Sequence, residues 1–183
     1  MGTLVGKQKD IADLLNSLLA IDYDAIEAYE VAIDRIDDDG DKAQLAEFKG
    51  DHERHVCEMH PLVVELGEKP VEKADIKRVL TKGKVVLASL VGDRMVLLAM
   101  KTNERDTNLA YDRAVQRIDL PSHVREVLLR NRDDERRHLA YIQGRLVDYE
   151  LGEVEEAGKT EPMVASTPVI ETPPTSQSVP STR

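Results

Sequence analysis

A chain of 183 residues, 33% of them charged and with a formal net charge of −10, suits one domain large enough to bury a core. Aromatic residues are 3%, with no Trp and one Phe, so the core is built from Leu, Ile, Val, Ala and Met, which favours helices over a β-sandwich. The acidic balance argues against a nucleic-acid partner, and the single cysteine, Cys57, excludes an internal disulfide and makes a reducing compartment the expectation.

The start of the chain, Met1 to Gly6, lacks the hydroxyl residue of a myristoylation pattern and the apolar centre of a signal peptide. The most apolar run, Val85 to Met100, is interrupted by Asp93 and Arg94 and falls short of a membrane span. The expectation is a soluble, cytoplasmic protein with no membrane partner.

From Lys7 to Asp37 apolar residues recur at helical spacing: Leu15, Leu18, Ala25, Tyr29, Ala32 and Ile36. Asp22 falls on the same stripe. The run Asp37-Asp38-Asp39-Gly40-Asp41 breaks this helix and is read as exposed, and the short loop makes the next helix an antiparallel neighbour. That second helix, Lys42 to Leu66, carries Leu45, Phe48, His52, His55, Met59, Leu62 and Leu66 on its stripe, with Pro61 expected to kink it. Gly67 to Gly83 is longer than a hairpin needs and is read as a crossover along the bundle, with room for a short helix. The third helix is expected over Lys84 to Ile118, with Leu90, Leu97, Met100, Glu104, Thr107, Tyr111, Ala114 and Ile118 on its inner side. After Pro121 a fourth runs to about Tyr149 with Val124, Leu128, Asn131, Glu135, His138 and Ile142 facing inward. Periodicity fades after Gly152, and 13 of the 23 residues from Glu161 to Arg183 are Pro, Ser or Thr. The domain reading is therefore a bundle over 1–152 and a disordered tail over 153–183.

The two halves of the chain repeat one another. Ala28 to Asp37 and Ala110 to Asp119 are identical at six of ten positions. Seven residues before each Tyr (Tyr29, Tyr111) stands a carboxylate (Asp22, Glu104), and each half continues into a polar cluster, Asp51-His52-Glu53-Arg54-His55 or Asp134-Glu135-Arg136-Arg137-His138. A buried ionisable group is costly unless paired or bound to metal. His52 with His55 and Glu135 with His138 stand at i, i+3 spacing, which puts each pair on one helix face. Asp22, His52, His55, Glu104, Glu135 and His138 are thus candidate ligands for Fe, Mn or Zn, with Tyr29 and Tyr111 as hydrogen-bond donors behind them. The competing reading is a set of buried ion pairs between helices. His60, His123 and the charged run Arg130 to Arg137, apart from the candidate ligand Glu135, are read as solvated, and Cys57 as unremarkable.

These residues resemble the ferritin-like superfamily, the bacterioferritin and rubrerythrin type of di-metal carboxylate protein, over about residues 8 to 150. The handiest match is Glu135-Arg136-Arg137-His138 to the family's Glu-x-x-His, with Glu104 and Asp22 at the terminal carboxylate positions. The resemblance implies an all-α, ferritin-like antiparallel four-helix bundle with a long crossover between helices 2 and 3. It implies one or two Fe ions as cofactor, with oxidation of Fe(II) or reduction of oxygen or peroxide inside the bundle and a homo-oligomer as an option. No catalytic residue is assigned apart from the metal ligands. His52 stands where the family has a bridging Glu, and one imidazole does not bridge as two carboxylate oxygens do. A single-metal site, an asymmetric two-metal site, and a non-catalytic stress-response or interaction protein with a degenerate site all stay open.

Overall fold

The computed structural model describes residues 4–73 and 90–159, with the side chains of 153–159 left aside. Four helices make up the fold: α1 Ile11–Arg35, α2 Asp39–Glu65, α3 Asp93–Val115 and α4 Ser122–Lys159. Among the described residues there is no strand.

The first two helix starts have a local cause. The Asp10 carboxylate accepts from the Ala12 N–H at 2.8 Å and opens α1, and Asp38 accepts from the Asp41 N–H at 2.8 Å and opens α2. α2 continues past Pro61, which lies on its exposed side, and ends before Gly67, whose φ of 83° suits a residue without Cβ. Short connections make α1–α2 and α3–α4 antiparallel pairs. Asp93, in the first turn of α3, accepts from the N–H groups of Asp37 (2.9 Å) and Asp38 (3.0 Å), so α3 begins where α1 ends. α2 and α3 therefore start at the same end. The chain joining them must return along the bundle's length, which is the crossover expected from the sequence; residues 74–89 of it, including the suggested short helix, lie outside the described residues, as does the tail from 160.

The inward stripes are buried as their periodicity requires, with three exceptions: Leu90, which precedes the helix, is only partly buried. Leu66 is partly exposed because α2 stops before it, and Ile118 is 97% exposed because α3 stops at Val115. The Arg125 guanidinium donates to the carbonyls of Val115 (2.8 Å) and Arg117 and closes that helix end. The third helix also starts later than expected: residues 90–92 are not helical, and Gly92, with φ at 87°, precedes the first turn at Asp93. At the other end of the chain α4 continues to Lys159, past Tyr149. No helix among the described residues is long and apolar enough to cross a membrane.

Asp41 corrects the reading of Asp37 to Asp41 as an exposed run. It is fully buried, and its carboxylate accepts from Tyr141 (2.7 Å), from Arg145 (2.6 and 3.0 Å) and from Tyr149 (3.3 Å), clamping the start of α2 to α4. Burial works to raise this carboxyl, and the Arg145 and Tyr141 hydrogen bonds overcome it and hold it low. Replacing Asp41 by Ala should destabilise the protein by about 2–4 kcal/mol in urea unfolding, because Arg145 loses its buried partner. Asp39→Ala, on the exposed side of the same turn, should stay within about 0.5 kcal/mol. Equal effects would contradict the clamp.

Candidate metal centre

Two apolar clusters fill the bundle. One gathers Leu14, Leu15, Leu18, Met59, Ala114 and Leu128, and the other gathers Ala32, Ile36, Leu45, Phe48, Leu97 and Ile142. Between them lies a polar belt. Asp22 from α1, His52 and His55 from α2, Glu104 from α3, and Glu135 and His138 from α4 are all buried there, at 1% exposure or less. All six candidate ligands meet in this belt. Met59 and Met100 lie in the clusters on either side as fully buried core residues.

The two tyrosines hold the terminal carboxylates across the bundle. Tyr29 of α1 donates to Glu104 Oε1 at 2.5 Å, and Tyr111 of α3 donates to Asp22 Oδ2 at 2.7 Å. Asn108 donates from one amide to the backbone carbonyls of Glu104 (2.9 Å) and Glu135 (2.8 Å), tying α3 to α4 at the belt. Asp22 Oδ1 accepts from His52 Nδ1 at 2.8 Å and from His55 Nδ1 at 3.3 Å. Glu135 Oε1 stands 3.4 Å from His52 Nδ1 and 3.3 Å from His55 Nδ1. On the other side of the belt, His138 Nδ1 stands 3.8 Å from Glu104 Oε2 and 3.9 Å from Glu135 Oε2, and His52 Nε2 stands 3.8 Å from Glu104 Oε1.

Two aspartates outside the predicted set complete the site. His55 Nε2 lies 3.4 Å from Asp134 Oδ2, and His138 Nε2 lies 3.1 Å from Asp51 Oδ2. Arg54 and Arg137 each bind both aspartates, closing a ring of alternating charge over the histidines. Asp134 and Arg137 are thus no idle members of a solvated run. The signal was present in the repeat: Asp-x-x-Arg-His occurs at Asp51 to His55 and again at Asp134 to His138. Of the remaining histidines, His60 is half-buried, 3.2 Å from the Tyr23 hydroxyl, which corrects its reading as solvated, and His123 is exposed beside Glu65 at 3.3 Å.

Burial dominates the electrostatics and neighbouring charges decide its outcome. It pushes Glu135 up to about 7, with Glu104 and Asp22 adding to the rise against the pull of His52 and His55. It pushes His138 down to about 4. For His55 burial is outweighed by carboxylates at Asp134, Asp22 and Glu135, which lift the ring to about 10, and for His52 the carboxylates of Glu135, Asp22 and Glu104 likewise win. Asp22 and Glu104 stay below the usual carboxylate value: burial opposes this, and the facing histidines prevail.

In chemical terms the belt offers two overlapping sets of donors, Asp22-His52-His55-Glu135 and His52-Glu104-Glu135-His138, each with one atom per residue and all four within 4.8 Å of one another. Carboxylates and imidazoles in this number suit first-row transition metals, the raised histidines giving up a proton on binding. The donor atoms left without hydrogen bonds fit a cation: His52 Nε2, Glu104 Oε2, both oxygens of Glu135 and His138 Nδ1 are buried and unpartnered.

Four antiparallel-paired helices, a full-length crossover and a buried carboxylate–histidine belt define a ferritin-like four-helix bundle. The chain belongs to the family described as Domain of unknown function (DUF2383), whose model matches residues 10–117, that is α1 to α3 with Asp22, His52, His55 and Glu104. Among solved structures it is similar to a dodecameric thioferritin, the bacterioferritin-related protein from Bacteroides fragilis, with 18% identity and a TM-score of 0.66 over 81% of this chain and 90% of that one. That likeness is one of fold. No curated protein matches the chain.

The metal-free belt sets a pH dependence. His55 is raised from 6.5 to about 10, so its contribution to stability is fully present below pH 6.5 and is lost as pH rises through 10. Glu135, raised from 4.5 to about 7, acts with the same sign at lower pH. His138, lowered from 6.5 to about 4, contributes above pH 6.5 and loses that contribution as pH falls through 4. The urea midpoint of the metal-free protein should fall between pH 6.5 and 10, by at least about 1 kcal/mol in unfolding free energy. A flat or rising midpoint there would show that His55 is not held by its carboxylates.

Proposed function

We propose that this protein binds iron in the belt and uses it to oxidise Fe(II) or to reduce oxygen or peroxide. The observation that carries the reading is the set of unpartnered donor atoms on His52, Glu104, Glu135 and His138, buried between two apolar clusters. A bound iron ion supplies one-electron chemistry that no side chain here provides. The protein's part is to hold and isolate it. The carboxylates of Asp22, Glu104 and Glu135 bring negative charge, and the rings of His52, His55 and His138 bring nitrogen lone pairs once their protons are displaced. Tyr29 and Tyr111 fix the two terminal carboxylates, Asp51 and Asp134 orient His138 and His55, and the flanking clusters limit water. The dodecameric state described for the structural relative supports a homo-oligomer for this chain as well. Mn and Zn suit the same donors, the chemistry lies within the bundle domain of 1–152, and the cytoplasm is the compartment proposed.

One observation favours a second reading, a non-catalytic stress-response or interaction protein with a degenerate site. His52 takes the place of a bridging carboxylate, and its Nδ1 is satisfied by Asp22 without any metal. Elemental analysis of the purified protein and Fe(II) oxidation assays on the parent and on His138→Ala separate the two. Iron in the parent, and oxidation that drops at least about tenfold in the variant, supports the first. A metal-free parent whose rate equals that of the variant supports the second.

A further inference from the structure

We propose that the belt takes one divalent transition-metal ion per chain, held by His52 through Nε2 and by Glu104, Glu135 and His138, with Asp22 orienting His52 and not touching the ion. This inference rests on the metal-binding reading above and narrows it from six ligands to four.

The unpartnered atoms are unevenly placed. In the belt they are His52 Nε2, Glu104 Oε2, His138 Nδ1 and the two Glu135 oxygens, and none belongs to Asp22 or His55. Leaving a buried polar atom unpaired is costly, so a cluster of five such atoms marks a place suited to a cation. All these atoms are Lewis bases in position to accept a cation.

The protons on the histidines agree. His52 Nδ1 faces Asp22 Oδ1 at 2.8 Å, and His138 Nε2 faces Asp51 Oδ2 at 3.1 Å. An ionised carboxylate only accepts, so in each ring that nitrogen carries the hydrogen, and in the neutral ring the other keeps its lone pair; an incoming cation displaces the second proton of His52. In both rings the other nitrogen is the unpartnered one. A histidine whose far N–H is held by a carboxylate while its near nitrogen is free is the usual arrangement of a metal ligand. The pairs Glu104 Oε2–His138 Nδ1 and His138 Nδ1–Glu135 Oε2 are 3.8 and 3.9 Å apart. Metal bonds of about 2.0–2.2 Å set donors up to about 4 Å apart, so little movement is needed. Two carboxylates with two neutral imidazoles also balance one divalent charge.

The two residues that only the other set contributes, Asp22 and His55, are already paired. Asp22 Oδ1 receives two N–H groups and Oδ2 receives the Tyr111 hydroxyl. His55 has carboxylate oxygens beside both nitrogens, Asp22 and Glu135 at 3.3 Å from Nδ1 and Asp134 at 3.4 Å from Nε2. A ring held by acceptors at both ends directs no lone pair at an ion.

Co(II) titration of the full chain tests this, with stoichiometry from equilibrium dialysis, coordination from the visible d–d absorption, and far-ultraviolet circular dichroism to establish folding. The wild type should bind one Co(II) per chain. Glu104→Gln and His138→Ala should show no binding at concentrations that saturate the wild type. Asp22→Asn should still bind one Co(II), with affinity weakened about 10- to 100-fold through the loosened His52. His55→Gln should keep one Co(II), and it carries the same comparison if Asp22→Asn does not fold. Two Co(II) per wild-type chain, or binding lost in both Asp22→Asn and His55→Gln as fully as in Glu104→Gln, would overturn the one-ion assignment while leaving the metal-binding reading intact. A wild type that binds neither Co(II) nor iron overturns both.

Discussion

Ionisable groups cannot sit in the middle of an apolar bundle unless other groups answer them, and that constraint shapes this protein. Three carboxylates and three imidazoles occupy one layer, with no solvent to stabilise them. The answer is reciprocal. Tyr29 of the first half serves Glu104 of the second, and Tyr111 serves Asp22. His55 reaches Asp134, and His138 reaches Asp51. Each bond therefore joins the two halves of the duplicated sequence, so the polar layer fixes how the α1–α2 pair registers against the α3–α4 pair. The apolar clusters above and below supply the burial that makes those bonds strong.

The symmetry fails at one position, and the chemistry turns on that failure. Glu135 in α4 has its counterpart in α2 at His52, an imidazole in place of a carboxylate. His52 leans toward Asp22 through Nδ1 and leaves Nε2 open toward Glu104. One side of the layer is thereby closed by hydrogen bonds within the protein, and the other is left with lone pairs and no partner. A duplicated scaffold has become two unlike halves through a single residue type.

Much of this was readable from the chain. Periodicities of Leu, Ile and Ala located four helices, and ionisable residues interrupting those stripes located the belt, because burial of such residues is too costly to be incidental. What escaped was set by the ends and flanks of helices. The repeat placed Ile118 like Ile36, yet α3 ends at Val115 and exposes it, since helix ends depend on local caps such as Arg125 that carry no period. Asp41 lay in a run of aspartates typical of a solvated turn, and its burial is offset by Tyr141, Arg145 and Tyr149, all far along the sequence. Asp51 and Asp134 stand one position off the inner stripe. Their role follows from the partner helix that each faces, although the repeated Asp-x-x-Arg-His marks them.

The central claim is that the belt is a cation site between the helices and not a set of self-contained ion pairs. Anomalous X-ray diffraction at the cobalt edge, on crystals grown with Co(II), tests it most directly. A single peak in each chain, within bonding reach of Glu104, Glu135 and His138, is the expected result. Peaks confined to surface carboxylates, with the belt empty and its side chains hydrogen-bonded to one another, would contradict it.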